Sequence, residues 1–414
     1  MDISKFKDLI QKLSFLGNYS SLILPVIIML IAVLLFIPTQ LISSKLKKQI
    51  EEESISIGQR IQSLSKSAVS RNQWEVEQGY QQAYERDANQ IALLAKQSSQ
   101  RPLLSYKIFP EPKDTSTLIF KEFGQRFCGA IDKLITHVNA LDCPTDAELQ
   151  KGLQGSNSSP RSRGGQAWSI GMERLSEVDT TITNVLCREK AESASVYANT
   201  MDLSGYEFWE EYKYTGMDTA VEDCWYWQLA YWIIEDVFDT IGAMDSGSNS
   251  VFTSPVKRLL DVNFALGDRG GSKKTAARPH YVLSIEGALA EPPTGRFCND
   301  DIDVVHFNVV VVVSTKAVLP FVQQLCSAKQ HRFRGFSGKE QEQVFKHNQI
   351  TVLESNIRSI DRKDATHNFY RYGEDAVVEL DLICEYIFDK SGYDEIKPES
   401  VKKLLKKPEV QAGT

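Results

Sequence analysis

No Cys-x-x-Cys pair occurs in these 414 residues, nor a His-Glu-x-x-His, a Gly-x-Ser-x-Gly elbow or a Gly-x-x-x-x-Gly-Lys-[Ser/Thr] loop. Those absences remove the usual signatures of zinc peptidases, serine hydrolases and P-loop nucleotide enzymes. The seven cysteines (Cys128, Cys143, Cys187, Cys224, Cys298, Cys326, Cys384) are scattered, which suits neither a zinc site nor a dense disulfide framework. Mostly buried thiols with at most one or two bridges are expected, and the odd number leaves one thiol free unless chains cross-link. An excess of basic residues is also missing. The net charge of −7 and pI near 5.6 argue against a nucleic-acid binder. No catalytic, cofactor-binding or metal-ligating residues are nominated. His331 and His347 flank a polar loop and are expected to be solvated, while His306 is expected to be satisfied within a strand.

The most telling absence is of charge between Lys12 and Lys45. Within that window Leu22–Ile42 is almost wholly apolar, and about 20 helical residues at 1.5 Å rise cross roughly 30 Å of hydrocarbon. We read residues 22–42 as one transmembrane helix, with Pro25 and Pro38 near its ends. A cleaved signal peptide would have a shorter apolar run and an A-x-A site. Here the run is longer and leads into Lys45, Lys47 and Lys48. Lys5, Lys7 and Lys12 precede the span, so the positive-inside rule is nearly balanced. A single N-terminal anchor before a long body places that body outside the cytoplasm (N-in, C-out) in the inner membrane.

Residues 1–21 read as a short cytoplasmic amphipathic segment, with Ile3, Phe6, Leu9, Ile10, Leu13 and Leu16 on one side. A helical stalk is expected over residues 43–101. There Ile50, Ile57, Ile61, Leu64 and Ala68 fit alternating d and a positions of a heptad, interrupted by Ser54 and Arg71. A seam that polar predicts weak pairing, and these five residues are the candidate dimer or partner contacts. Arg101-Pro102 ends the pattern.

Residues 102–217 form a helical and irregular middle region. Leu118–Leu141 is amphipathic, and Cys143-Pro144 stops it. The Gly-, Ser- and Arg-rich stretches Leu153–Gln166 and Asp268–Arg278 read as solvated loops, and Asn157 begins a glycosylation triplet. Aromatic residues crowd Met201–Ile241. Asp218–Ala243 has helical spacing through Val221, Trp225, Leu229, Trp232, Ile233, Val237 and Ile241, so most of them are expected in a core. Tyr206–Tyr214 is the more exposed part.

Four strand patterns follow: Val256–Leu266, the β-branched run Val304–Val313, Ile350–Ile360 and Ala376–Phe388. Tyr281–Ile285 is expected to add a short edge strand. A helix is expected over Thr315–Ala328. Val304–Val313 belongs in the sheet centre, because so apolar an edge would aggregate. Over residues 218–390 the order is helix, strand, strand, helix, strand, strand, an α+β layer of ferredoxin-like type. Residues 391–414 close the chain as a short helix and polar tail.

A short cytoplasmic tail, one span, a coiled-coil stalk and a terminal αββαββ domain together resemble the PilO-type proteins of type IV pilus assembly and the M-type subunits of type II secretion. The resemblance is architectural and covers anchor, stalk and Asp218–Phe388. It implies a non-enzymatic scaffold that dimerises through its sheet domain, pairs its stalk with a similar single-span protein and joins other pilus or secretion components. The competing reading is a membrane-anchored periplasmic ligand-binding or sensor protein, with a ligand held between the aromatic helix and the sheet. No cofactor is expected.

Overall fold

The computed structural model describes residues 20–67, 70–114, 116–157, 170–264, 278–284 and 295–405. The expected tail helix, Ala68, Ile285 and most of the two basic loops lie outside these residues. The chain divides into two units, Met1–Asp87 and Ala88–Thr414.

The first unit is helical. Helix α1 (Ser20–Gln49) carries Pro25 and Pro38, passes through a π-helical segment at Ile50–Ile55 and continues as α2 (Ser56–Ser67). Among the described residues, Leu24–Lys66 is the one helix long and apolar enough to cross a membrane, a test that a signal sequence also passes. Helix α3 (Arg71–Ser98) starts in this unit and ends in the next.

In the second unit the apolar periodicity of residues 118–141 becomes α4 (Leu118–His137), which buries Phe120, Phe123, Phe127 and Ile131. The helix stops four residues earlier than the pattern suggested. Asn139 takes a left-handed conformation (φ 49°), and the chain reverses into a short strand, β1 (Ala140–Leu141). After α5 (Asp146–Asn157), α6 (Ile170–Ser193), β2 (Val196–Tyr197) and α7 (Tyr206–Glu210) comes the long α8 (Met217–Met244).

The expected stripe on α8 is only part of its buried surface. Trp227, Ala230, Ile234 and Phe238 are also buried, because the helix packs on the sheet side and against α4 at once. A helix apolar on most faces belongs inside a fold. Trp225 stacks on Tyr393 with ring centroids 5.7 Å apart and donates its Nε1 hydrogen to Tyr281 at 3.0 Å. Trp232 donates to the Pro102 carbonyl at 2.9 Å. In the stretch expected to be more exposed, Trp209 is buried, whereas Tyr214 is partly exposed and stacks on Phe120 at 5.9 Å.

The four expected strands are β3 (Val256–Asn263), β4 (Ile302–Ser314), β7 (Ile350–Ser359) and β8 (Val377–Asp389). With β1 and β2 they make one mixed six-stranded sheet in the order β1-β2-β3-β4-β8-β7. The short strands run parallel to β3 and all later pairs are antiparallel. β4 is central, as its β-branched run requires, and registers with β8 from Ile302↔Asp389 to Ser314↔Val377. Tyr281 forms only an isolated bridge to Val305 rather than the expected edge strand. The helix after β4 is a 3-10 turn at Thr315–Ala317 followed by α9 (Val318–Leu325). Between α9 and β7 stands a hairpin that the sequence pattern did not reveal, β5 (Lys329–Phe333) with β6 (Gln343–His347). Helices α10 (Lys390–Tyr393) and α11 (Glu399–Leu405) follow β8.

All seven cysteines are free, so none of the bridges allowed for in the sequence forms. Burial pushes the Cys128 thiol up to about 11 and Cys298 to about 12, which makes both poor thiolate nucleophiles.

Asp245 supplies a stability prediction. It caps the C-terminus of α8, accepts from the Val256 N–H at 2.9 Å through Oδ1, and leaves Oδ2 buried without a hydrogen-bond partner. Burial, the largest cause, raises its pKa from 3.8 to about 7. The protonated form therefore suits the fold, and stability present below pH 3.8 is lost as pH rises through about 7. Asp245→Asn mimics the protonated carboxyl. We expect little change in Tm near pH 4 and a gain of roughly 2–4 kcal/mol by pH 8, at about 1.4 kcal/mol per pKa unit. Thermal melts at the two pH values check this, and equal gains at both would contradict it.

Candidate functional site

Three of the five candidate contacts stand exposed at helical spacing on one side of α2: Ile57, Ile61 and Leu64, the last two each 61% exposed. Ile50 is exposed within the π-helical segment, whose wider turns change its phase relative to the other three. Ala68 lies outside the described residues. On α3, Tyr80, Tyr84, Ile91 and Leu94 are exposed as well. Large apolar side chains repeated along solvent-facing helices are unusual in a finished monomer surface.

The last turn of α3 enters the body through buried polar groups. Ser99 Oγ accepts from the Asp389 N–H at 2.7 Å and from the Gln349 amide at 3.2 Å. The Lys96 carbonyl of α3 lies against Gly392 of α10, where a Cβ would meet it at 2.3 Å, so only glycine fits. Two residues beyond Ser99, Arg101 is 1% exposed and clasps both oxygens of Asp236, at 3.0 and 2.9 Å. It also reaches Glu235 at 2.6 Å and the Tyr386 hydroxyl at 2.5 Å.

Burial alone would lower the Arg101 pKa, but Asp236, Tyr386 and Glu235 raise it well above its usual value. Burial likewise favours a neutral Asp236; Arg101 and His347 overcome it and hold that carboxyl well below the usual range. A bidentate guanidinium–carboxylate pair of this kind is directional and strong once desolvated.

His331 and His347, expected to be solvated, are instead buried on adjacent strands of the β5–β6 hairpin. Their Nδ1 atoms are 2.9 Å apart; His331 Nε2 faces the Gln100 carbonyl at 2.8 Å and His347 Nε2 faces Asp236 at 2.9 Å. Hydrogen-bond valence fixes the protons. Gln100 only accepts, so His331 Nε2 carries a hydrogen. Burial lowers His331 to about 4, which leaves its Nδ1 a neutral acceptor. His347 bridges the two, through Nδ1 to His331 and through Nε2 to the Asp236 carboxylate. The expectation failed because the hairpin folds over the end of α3, a contact more than 200 residues distant in sequence.

The remaining surface of note is the sheet edge. β7 pairs with β8 alone among the described residues, and its second half is exposed, with Ile357 pointing outward. Arg358 bridges to Glu379 at 3.2 Å and Asp381 at 2.9 Å of β8, a charged guard on the open edge. Among the described residues no group of three or more His, Cys, Asp and Glu side chains could hold a metal ion. Apart from the His331–His347 pair, His306 is buried on β4, His367 contacts the Tyr372 hydroxyl at 2.9 Å and His137 ends α4.

Comparison with known proteins adds little. No family model matches the chain, and no curated protein matches it. A crystal structure from Akkermansia muciniphila is similar at 10% identity, with 66% of this chain and 96% of that chain covered and a TM-score of 0.23, too loose an overlap to bear on fold or role.

Proposed function

We propose that the protein is a non-enzymatic, single-span scaffold of a type IV pilus-like or type II secretion-like envelope machine, acting by dimerisation and partner binding. The observation that carries this reading is the strand order behind an exposed apolar helix. Moving the first strand of a βαββαβ ferredoxin-like unit to its end gives αββαββ with strands ordered first, second, fourth, third. That is the order of β3-β4-β8-β7, with α8 and α9 as the two helices. The short β1 and β2 and the β5–β6 hairpin lie outside that four-strand order.

On this reading Leu22–Ile42 anchors the chain with its body outside the cytoplasm. The α2 stripe Ile57, Ile61 and Leu64 pairs as a weak coiled coil, with a second copy or a similar single-span protein. The open β7 edge offers a second contact by strand addition.

Topology is the first test. A reporter that is active only outside the cytoplasm, fused after Thr414, should be active, and one that is active only inside should be silent. The opposite pattern ends the scaffold reading.

A further inference from the structure

A cavity of about 660 Å³ opens where the C-terminal half of α6 faces the 361–375 loop. Its wall contains Arg188, Arg362, Arg371, Tyr370, Tyr372 and Phe252, with Glu374 as the one carboxylate. We propose that it binds a small anionic sugar, one that carries a carboxylate or phosphate on its ring.

The argument rests on how the arginines are held. Arg362 donates to the Gly373 and Asp375 carbonyls, each at 2.9 Å. Arg371 donates to the Asn368 carbonyl at 2.6 Å, the Tyr370 carbonyl at 3.3 Å and Asn184 Oδ1 at 2.7 Å. Every one of these acceptors is neutral, so both guanidinium groups are fixed in place by groups that carry no charge. The neighbouring Asp375 carboxylate turns instead to Lys257 at 3.2 Å. Behind the wall Arg258, 8% exposed, stacks on Tyr370 at 3.5 Å and donates to the Thr366 carbonyl at 2.7 Å. Among the described residues Arg258, Arg362 and Arg371 form no ion pair. Arg188 is bonded to Glu192 at 2.8 Å on the exposed helix surface, free to turn inward at little cost.

A chain of net charge −7 thus gathers preset cations around one opening. Guanidinium forks match carboxylate and phosphate oxygens, and the partly exposed Phe252 ring beside them suits the flat face of a sugar. The volume falls within the range of small-molecule sites. The site is separate from the scaffold contacts, so either can fail alone.

Calorimetry on the full chain in detergent would compare glucuronate, glucose 6-phosphate, glucose and inorganic phosphate. At least one charged sugar should bind saturably below about 10 mM, more tightly than glucose or free phosphate, and added salt should weaken it. Glucuronate and glucose 6-phosphate distinguish a carboxylate from a phosphate source. Arg371→Gln should weaken binding several-fold. Arg188→Gln should also weaken it and Glu374→Gln should strengthen it; both side chains are exposed, so neither change threatens folding. Absence of charged-sugar binding, equal affinity for glucose or free phosphate, or indifference to all three substitutions overturns the proposal.

Discussion

Cysteines placed at positions 61 and 64 of the membrane-embedded chain should cross-link between copies or to a similar single-span partner, and the Ile61→Asp, Leu64→Asp double variant should lose its association. The two side chains lie one helical turn apart on the exposed side of α2, with Ile57 completing the stripe. Within a paired seam each aspartate would bury an unpaired carboxylate, at a cost of several kcal/mol per group. Ser54 and Arg71 already weaken the heptad, so little reserve remains to absorb that loss. On the proposed reading, a modest helix contact would gain from membrane confinement and from a second contact at the sheet edge, because linked weak contacts multiply through effective concentration. No inter-chain product, together with a double variant that behaves like the parent, would mean that α2 is a spacer.

The second large effect is expected at the end of α3. Asp236→Asn keeps the shape of the side chain but removes the charge shared by Arg101 and His347. The 1%-exposed guanidinium then keeps only the partly exposed Glu235 as a charged partner. Breaking a buried pair from one side costs about 3–5 kcal/mol, so the melting temperature should fall by on the order of 10 °C. Hydrogen exchange at Ser98–Arg101 should rise in step, because Asp236 holds Arg101 directly and Gln100 indirectly through the two histidines. A double replacement, Arg101→Met with Asp236→Leu, should recover part of the loss, since it removes the buried guanidinium that Asp236→Asn leaves with Glu235 alone. If Asp236→Asn melts like the parent and the α3 end stays protected, the junction is not held by this network.

Several features were legible in the chain before any fold was known. The uncharged window from Lys12 to Lys45 is a solubility statement that needs no tertiary partner, and Leu24–Lys66 emerges as the helix long and apolar enough to span a membrane. Val304–Val313 could sit nowhere but inside a sheet, and β4 is hydrogen-bonded on both sides. Phe120, Phe123, Phe127 and Ile131 recur at helical spacing, and α4 buries that face.

Other features had no local signal. β1 and β2 are two residues long, too short for any alternation to show. β5 and β6 are polar in sequence because their inward histidines bond to Gln100 and Asp236. Arg101 read as a helix stop beside Pro102, and nothing nearby reveals that its partners are 134, 135 and 285 residues away.

Periodicity and hydropathy are properties of neighbours along the chain, so by itself the sequence determined the long apolar N-terminal helix, the helix α4, the aromatic helix α8 and the four long strands. Charge pairing and cavity formation depend on groups that meet only after those elements pack. Tertiary structure therefore decided that Arg101, Asp236, His331 and His347 close over the end of α3. It also decided that Arg188, Arg362 and Arg371 share one opening, although the last is 183 residues from the first.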